Sequence, residues 1–402
     1  MPDRESFVAA IATAPEDDLP RLVFADWLDE HGEPDRAEFI RTQIEAERTT
    51  DADRKAALER RAADLFAEHW PRWFEPFFAG LPDPRKCYRI SRDTYLWTQD
   101  GLSPRRRPFV SELWTSRGLV NTIALDASRV PDGFSLGTAL GSEPINFLMV
   151  ELSGDSQEWR RLSEPALRRI TSLELGELST DEATDLPGMR PAFDDPHLAG
   201  VRSLTLRSFR RGSDGMSDAT RTPAVVIREF ERSPLAYRLE ALTLWSLNRD
   251  GLRVITRSDR LRLTDITFGL SRGIEGAGEL IADTRFAPAV QSLQVWDNLG
   301  NAGLAAIAAS DRWHRLTKLE IPANGITDAG LHALAGASFT PYLEVLNLNG
   351  NPLFDDDDDL DGLRELAAAL DPHRLVLLDL QLTDLTAVPD FLANRFGDKV
   401  IV

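Results

Sequence analysis

The 402-residue sequence predicts an α/β solenoid preceded by a small all-α N-terminal module. Three observations carry this prediction. From about Leu119 onward an apolar residue is followed two positions later by another, and the pair recurs at Ile123/Leu125, Leu148/Val150, Leu173/Leu175, Leu204/Leu206, Leu242/Leu244, Ile266/Phe268, Leu293/Val295, Leu319/Ile321, Leu346/Leu348 and Leu378/Leu380. Successive first members lie 25, 25, 31, 38, 24, 27, 26, 27 and 32 residues apart. Seven of these intervals fall at or near the roughly 20–29 residues in which one strand and one helical segment make a stackable unit, and longer ones have room for loop insertions. Small-residue helical stretches follow two of the pairs, and the first fifty residues show helical spacing instead. The expected divisions are a helical module over 1–50, a connecting helix and cap over 51–118, and the solenoid over 119–402.

In the module, Phe7, Val8 and Ile11 share one helical face, and Pro15-Glu16-Asp17-Asp18 ends that helix and supplies an acidic start for the next. Leu19, Leu22, Val23, Trp27 and Leu28 recur at three-to-four-residue spacing until Gly32 and Pro34. A third helix starts near Asp35 with Phe39, Ile40 and Ile44 on its buried side. Helices this short need one another to persist.

The run Arg21-Leu22-Val23-Phe24-Ala25-Asp26-Trp27-Leu28-Asp29-Glu30-His31-Gly32-Glu33, with Arg36-Ala37-Glu38-Phe39-Ile40-Arg41 and Gln43, resembles the bacterial repeat-companion domain. The resemblance covers roughly the first 45 residues. It implies architecture, a module placed beside repeats that are often leucine-rich, and no activity. Asp26, Trp27, His31 and Arg41 are expected to hold the helices together through packing and satisfied polar bonds; the alternative is a site formed by Asp26, His31 and Arg41.

Leu58, Ala62, Leu65, Phe66, His69, Trp70 and Trp73 outline a further amphipathic helix, ended by Pro71 or by the Gly80-Leu81-Pro82 turn. Tyr88-Arg89-Ile90 and Tyr95-Leu96-Trp97 look like strands, and the stretch to Gly118, including Arg105-Arg106-Arg107, is expected to cap the exposed end of the repeats.

Three copies continue into asparagine: Leu293-Gln-Val295-Trp-Asp-Asn298, Leu319-Glu-Ile321-Pro-Ala-Asn324 and Leu346-Asn-Leu348-Asn-Gly-Asn351. An asparagine there can donate to and accept from the backbone as the chain leaves the strand. With Gly-Asn-Ala-Gly-Leu-Ala-Ala-Ile-Ala from Gly300 and Gly-Ile-Thr-Asp-Ala-Gly-Leu-His-Ala-Leu-Ala from Gly325, these copies resemble leucine-rich repeats of the ribonuclease-inhibitor-like subtype. That resemblance implies a horseshoe with parallel strands on the concave side and helices on the convex side. Repeats between about Thr171 and Gly269 are more irregular.

Composition narrows the function. A net charge of −19 is the wrong sign for a protein that grips phosphate backbones, so no nucleic-acid partner is expected. The single Cys87 leaves no internal disulfide, the acidic N-terminus lacks the pattern of a secretion signal, and no stretch approaches about 18 apolar residues, so a cytoplasmic protein without membrane contact is expected. The six histidines form neither a His-Glu-x-x-His pair nor a Cys/His cluster, Gly273-Ile-Glu-Gly276-Ala-Gly278 is a glycine-rich turn into a helix without phosphate-loop spacing, and no cofactor or metal is expected. Cys87, in Arg-Lys-Cys-Tyr-Arg, has cationic neighbours that would lower its pKa but no identifiable base.

Because side chains alternate along a strand, residues flanking the inner pairs face the open side. This places Thr205, Arg207, Thr243, Trp245, Gln294, Trp296, Glu320, Asn347, Asn349, Asp379 and Gln381 there. Of these, Arg207, Trp245, Gln294, Trp296, Glu320, Asn347, Asn349 and Asp379 are the candidate partner-binding residues. Trp and Arg are enriched at binding hot spots. Trp245 and Trp296, separated by a repeat with Gly269 at the corresponding position, are expected to frame an aromatic patch or to pack under an inserted loop or the N-terminal module.

The expected function is a non-enzymatic protein-binding scaffold or adaptor; the alternatives are a regulatory or substrate-recognition subunit of an enzyme complex, or an enzyme with a site in the N-terminal module. Residues 341–402 carry 13 acids and 4 bases, which favours a basic partner at that end. The run Asp355–Asp359, with Asp361, lacks the ligand pattern of a calcium loop and reads as a solvated loop or a contact for such a partner.

Overall fold

The N-terminal helices begin where local chemistry satisfies their first amides. Helix α1 (Arg4–Thr13) is capped by Asp3, whose carboxylate accepts from the Ser6 amide, and α4 (Ala52–Trp73) by Asp51, which accepts from the Arg54 amide. Helices α2 (Leu19–Glu30) and α3 (Pro34–Arg48) carry a proline in the first turn, where its missing N–H costs nothing. The computed structural model describes residues 3–78, 83–91, 94–99, 108–131, 134–153, 155–179, 189–211, 217–219, 224–270, 274–297, 299–353, 360–383 and 385–402. The chain divides into two units, Met1–Gly176 with Asp195–Val201, and Glu177–Asp194 with Arg202–Val402.

In the first unit, Ile11, Phe24, Ala25, Leu28, Ala37, Ile40 and Ile44 from α1–α3 form one core with Leu119. Helix α4 runs past Pro71, contrary to the expectation that this proline could end it. A proline cannot donate to the carbonyl four residues earlier. That carbonyl, on Ala67, instead accepts from Arg85 Nη1 at 2.7 Å, so the last turn survives.

Strands β1 (Tyr88–Ile90), β2 (Tyr95–Thr98), β3 (Val110–Ser116) and β4 (Leu119–Asp126) form an antiparallel ladder. Helix α5 (Leu136–Ser142) then leads to β5 (Phe147–Leu152), which pairs parallel to β4 with Ile123 opposite Leu148. Helix α6 (Ser156–Leu162) leads to β6 (Ser172–Ser179), whose last three residues belong to the second unit. The β3–β4 turn consists of Arg117 and Gly118, at φ 48° and 81°, the two left-handed residues that a tight hairpin uses. A Cβ on Gly118 would lie 2.6 Å from the Ile40 Cα, so only glycine lets the turn rest on α3. The Gly118 amide donates to the Gln43 Oε1, and the Arg117 guanidinium reaches Glu47 at 2.6 Å. The N-terminal helices and the β3–β4 hairpin are thus one packed body.

The second unit contains α7 (Arg190–Phe193), β7 (Ser203–Arg211), β8 (Ser217–Ala219), α8 (Ala224–Arg232), β9 (Ala241–Leu247), α9 (Arg249–Thr256), β10 (Asp265–Leu270), α10 (Ala277–Ala282), β11 (Ser292–Trp296), α11 (Gly300–Ala308), β12 (Lys318–Glu320), α12 (Asp328–Ala335), β13 (Val345–Asn347), α13 (Asp361–Ala369), β14 (Leu377–Asp379), α14 (Asp390–Phe396) and β15 (Val400–Ile401). Its strands run parallel in the order β7-β9-β10-β11-β12-β13-β14-β15, with β8 antiparallel on β7. Each predicted first member pairs with the next: Leu204 with Leu242, then Ile266, Leu293, Leu319, Leu346 and Leu378. In-register pairing therefore holds from Leu204 through the rest of the irregular stretch, and the β7–β8 hairpin occupies part of its 38-residue interval. In both units together, all twenty residues of the ten inner pairs are at most 1% exposed. The fold class is mixed α/β, with helices between successive parallel strands.

Two buried asparagines bond successive turns to one another. Asn351 Oδ1 accepts from the amides of Asn324 (2.8 Å) and Ile326 (3.0 Å), while Nδ2 donates to the carbonyls of Ile321 and Leu348 (both 2.8 Å). Asn324 does the same one turn earlier, accepting from Leu299 and donating to Val295 and Pro322. Asn298 lies outside the described residues.

A second regularity is conformational. Ser246, Asp297, Ala323, Gly350 and Leu382, each two residues past the second member of its inner pair, have φ of 56°, 64°, 51°, 68° and 54°. Left-handed backbone costs a residue with a Cβ about 1–2 kcal/mol, partly offset in a glycine variant by the greater freedom of its unfolded chain. Leu382 is 84% exposed and has little packing to lose. Leu382→Gly is therefore expected to stabilise the protein by about 0.5–1 kcal/mol in urea titrations; a lower stability would refute this account.

Candidate functional site

On the open face of the second unit the ladder places Trp245 beside Gly269 and Gly269 beside Trp296. The β10–β11 register sets Gly269 opposite Trp296. The β9–β10 register shifts between Phe268 and Leu270, where Ser246 adopts its left-handed conformation, a bulge that re-aims Trp245. The Trp245 ring consequently leans over Gly269, where a Cβ would lie 2.3 Å from its Cε3. The two indole centroids are 6.1 Å apart with a 47° angle between the planes, and both residues are half-buried. The sequence anticipated a patch framed by two separated tryptophans; the rings instead close over the glycine into a single aromatic wedge.

The other candidates spread along the same face. Gln294 lies beneath Trp296 and its Oε1 accepts from Thr267 Oγ1 at 3.1 Å. Glu320 pairs with Lys318 at 2.9 Å. Asn347 Oδ1 accepts from the Asn349 amide at 2.8 Å. Arg207 is half-buried on β7, one residue past Leu206, whose partner on β9 is Leu244, so it sits in the row position next to Trp245. Asp379 departs from its expected place on the open surface: it is only 9% exposed, and it accepts from the Gln381 amide at 3.0 Å. Trp245, Trp296 and Gln294 form one locality; Glu320, Asn347, Asn349 and Asp379 continue the face strand by strand.

In the N-terminal set, Arg41 joins two helices and His31 closes the end of its own. Arg41 pairs with Asp26 at 2.6 Å and Asp29 at 2.7 Å, joining α3 to α2. His31 stacks on Trp27 with centroids 3.9 Å apart, and its Nδ1 donates to the Trp27 carbonyl at 2.7 Å.

Two constellations in the first unit were not legible in the sequence. Arg36 and Glu143 form an ion pair at 3.0 Å with both side chains 1% exposed. Glu143 also accepts from the Val120 amide at 2.8 Å, and the guanidinium lies 4.8 Å from both the Trp73 and Phe74 rings. Burial pushes the Glu143 carboxyl up and the Arg36 guanidinium down, while each charge pulls the other back. On the opposite sheet face from Leu96 and Leu113, Trp97, Tyr95 and Trp114 stack in series, with centroids 5.1 and 5.2 Å apart. Alternation identifies Tyr95 and Trp97 as sharing a face, but the contact with Trp114 needs the antiparallel register.

In the second unit, His332 bridges α12 and α13, with Nε2 3.0 Å from Asp328 and Nδ1 bonded to Glu365. The Glu365 bond, helped by the Asp328 charge, raises its pKa above the ordinary 6.5. A raised histidine pKa contributes stability that is fully present below the unfolded value and lost as pH rises through the folded value. An NMR titration is expected to give a His332 midpoint above 6.5 that falls in Glu365→Gln; an unchanged midpoint would contradict the assignment.

Cys87 is half-buried between a short 3₁₀ turn and β1. The predicted turn at Gly276 is present, at φ 69°, leading into α10. The acidic residues 355–359 and the arginines 105–107 lie outside the described residues. Among the described residues no helix is long and apolar enough to cross a membrane. No family model matches the chain, and no curated protein matches its sequence.

Proposed function

We propose that the protein is a non-enzymatic protein-binding scaffold or adaptor, a leucine-rich-repeat solenoid with a repeat-companion-like N-terminal module, and that it binds its partner on the open sheet face of the second unit. The in-register parallel strands, the buried pairs at repeat spacing and the asparagine bonds between successive turns support the repeat reading. Stacked repeats offer an extended surface on which several strands contribute one residue each. The observation that carries the functional reading is the Trp245–Trp296 wedge. Two large aromatic residues lie on the sheet side away from the inner pairs, touching each other and accessible in part.

The test is affinity capture from the native host with wild type and a Trp245→Ala/Trp296→Ala variant, followed by titration of the purified captured protein. A partner lost from a variant that keeps its circular dichroism supports the reading. Equal binding by both proteins overturns it.

A further inference from the structure

Resting on that open-face reading, we propose that the Trp245–Trp296 wedge and the amide donors beside it take an extended proline-rich segment of the partner in the polyproline II conformation. Such a segment has no internal hydrogen bonds and lacks an N–H at every proline, so it is rich in carbonyl acceptors and poor in donors. The open face presents the complementary chemistry. The Gln294 amide oxygen is engaged by Thr267 Oγ1, and the Asn347 amide oxygen by the Asn349 N–H. Each of these two side chains therefore offers its NH₂ group to a ligand.

Their spacing suits this ligand. Gln294 is on β11 and Asn347 on β13, with Glu320 of β12 between them in register. Two inter-strand steps cover about 9.6 Å, and three residues of polyproline II advance about 9.3 Å. A segment crossing the strands thus meets donors with carbonyls i and i+3. The same repeat returns a proline ring to the protein side every third residue, and two indoles inclined at 47° provide an apolar seat of the kind that proline-recognition grooves use.

Charge favours the same occupant. Among the described residues, the ionic groups between the two donors along this row are Glu320 and its neighbour Lys318, which pair at 2.9 Å. That paired strip matches an uncharged segment better than a polycation, which would find no unpaired acid between the two donors. The basic partner suggested by the acidic C-terminal composition would find its charge complement elsewhere.

The experiment titrates the full chain against fluorescein-labelled decaproline by anisotropy, with a decalysine and a glycine-serine decamer alongside. Saturable binding of decaproline alone is expected. Trp245→Ala should weaken it about tenfold or more, the effect of a modest hot spot. Trp245→Phe, which keeps an aromatic wall, should retain most of the affinity. Gln294→Ala and Asn347→Ala should each weaken it about threefold or more, as for loss of one hydrogen bond. Absence of saturable decaproline binding, or equal binding by Trp245→Ala, overturns the proposal. Should decalysine bind instead and depend on Trp245, the proline assignment fails while the open-face reading stands. If neither any probe nor the captured partner depends on the two tryptophans, both fail.

Discussion

Glu143→Ala is expected to cost about 3–5 kcal/mol of folding stability, because it strands the Arg36 charge in a site that water does not reach. The two side chains are 1% exposed, and the variant would also leave the Val120 amide without its acceptor. The contacts of Arg36 with Trp73 and Phe74 are too weak to replace a carboxylate at full burial. Arg36→Ala should cost a similar amount for the converse reason. An apolar pair, Arg36→Leu/Glu143→Leu, should recover much of the loss, since it removes both desolvation penalties together. Urea denaturation of the three variants checks this; a loss below about 1 kcal/mol in Glu143→Ala would place the pair among solvated ion pairs and refute the account. The pair joins α3 and α4 to β4 and the end of α5, so local loosening of the N-terminal helices, seen by hydrogen exchange, should accompany the loss.

The second large effect is on binding. Trp245→Ala and Trp296→Ala are each expected to remove about 2 kcal/mol or more of partner affinity, roughly thirtyfold. Because the rings touch, the double variant should lose less than the sum of the two. Gly269→Ala is a sharper version of the same test. It removes no aromatic group, yet its Cβ would lie 2.3 Å from the Trp245 ring and must displace it. Isothermal titration should show weakened binding by Gly269→Ala with the fold retained by circular dichroism. Unchanged affinity would mean that the wedge geometry has no part in recognition.

The parts of this protein that were legible from residues alone are those with a period. Ten apolar pairs at a recurring interval predicted which residues are buried and, from Leu204 to Leu378, which pair across strands, because each interval there brings one parallel strand beside the last. The asparagines were equally legible: one side chain that donates and accepts at the exit from a strand has a single economical use. Open-face residues followed from alternation, except that Asp379 is buried although its bond to the Gln381 amide repeats the one that half-buried Asn347 makes to Asn349.

What escaped was aperiodic. Arg36 meets a glutamate 107 positions away, and no local pattern distinguishes Glu143 from an exposed acid. Pro71 was a plausible helix stop because its cost is local, whereas the guanidinium that offsets it arrives from Arg85 beyond the helix. The tryptophans were expected to frame one patch across an intervening repeat but not to touch, since their contact depends on a bulge at Ser246 and on the missing side chain of Gly269 acting together. The α/β class and the buried apolar pairs could be read along the chain, because hydrophobic periodicity is a property of consecutive residues. The ion pair, the helix end and the shape of the wedge came instead from folding, because each depends on distances between segments far apart in the chain.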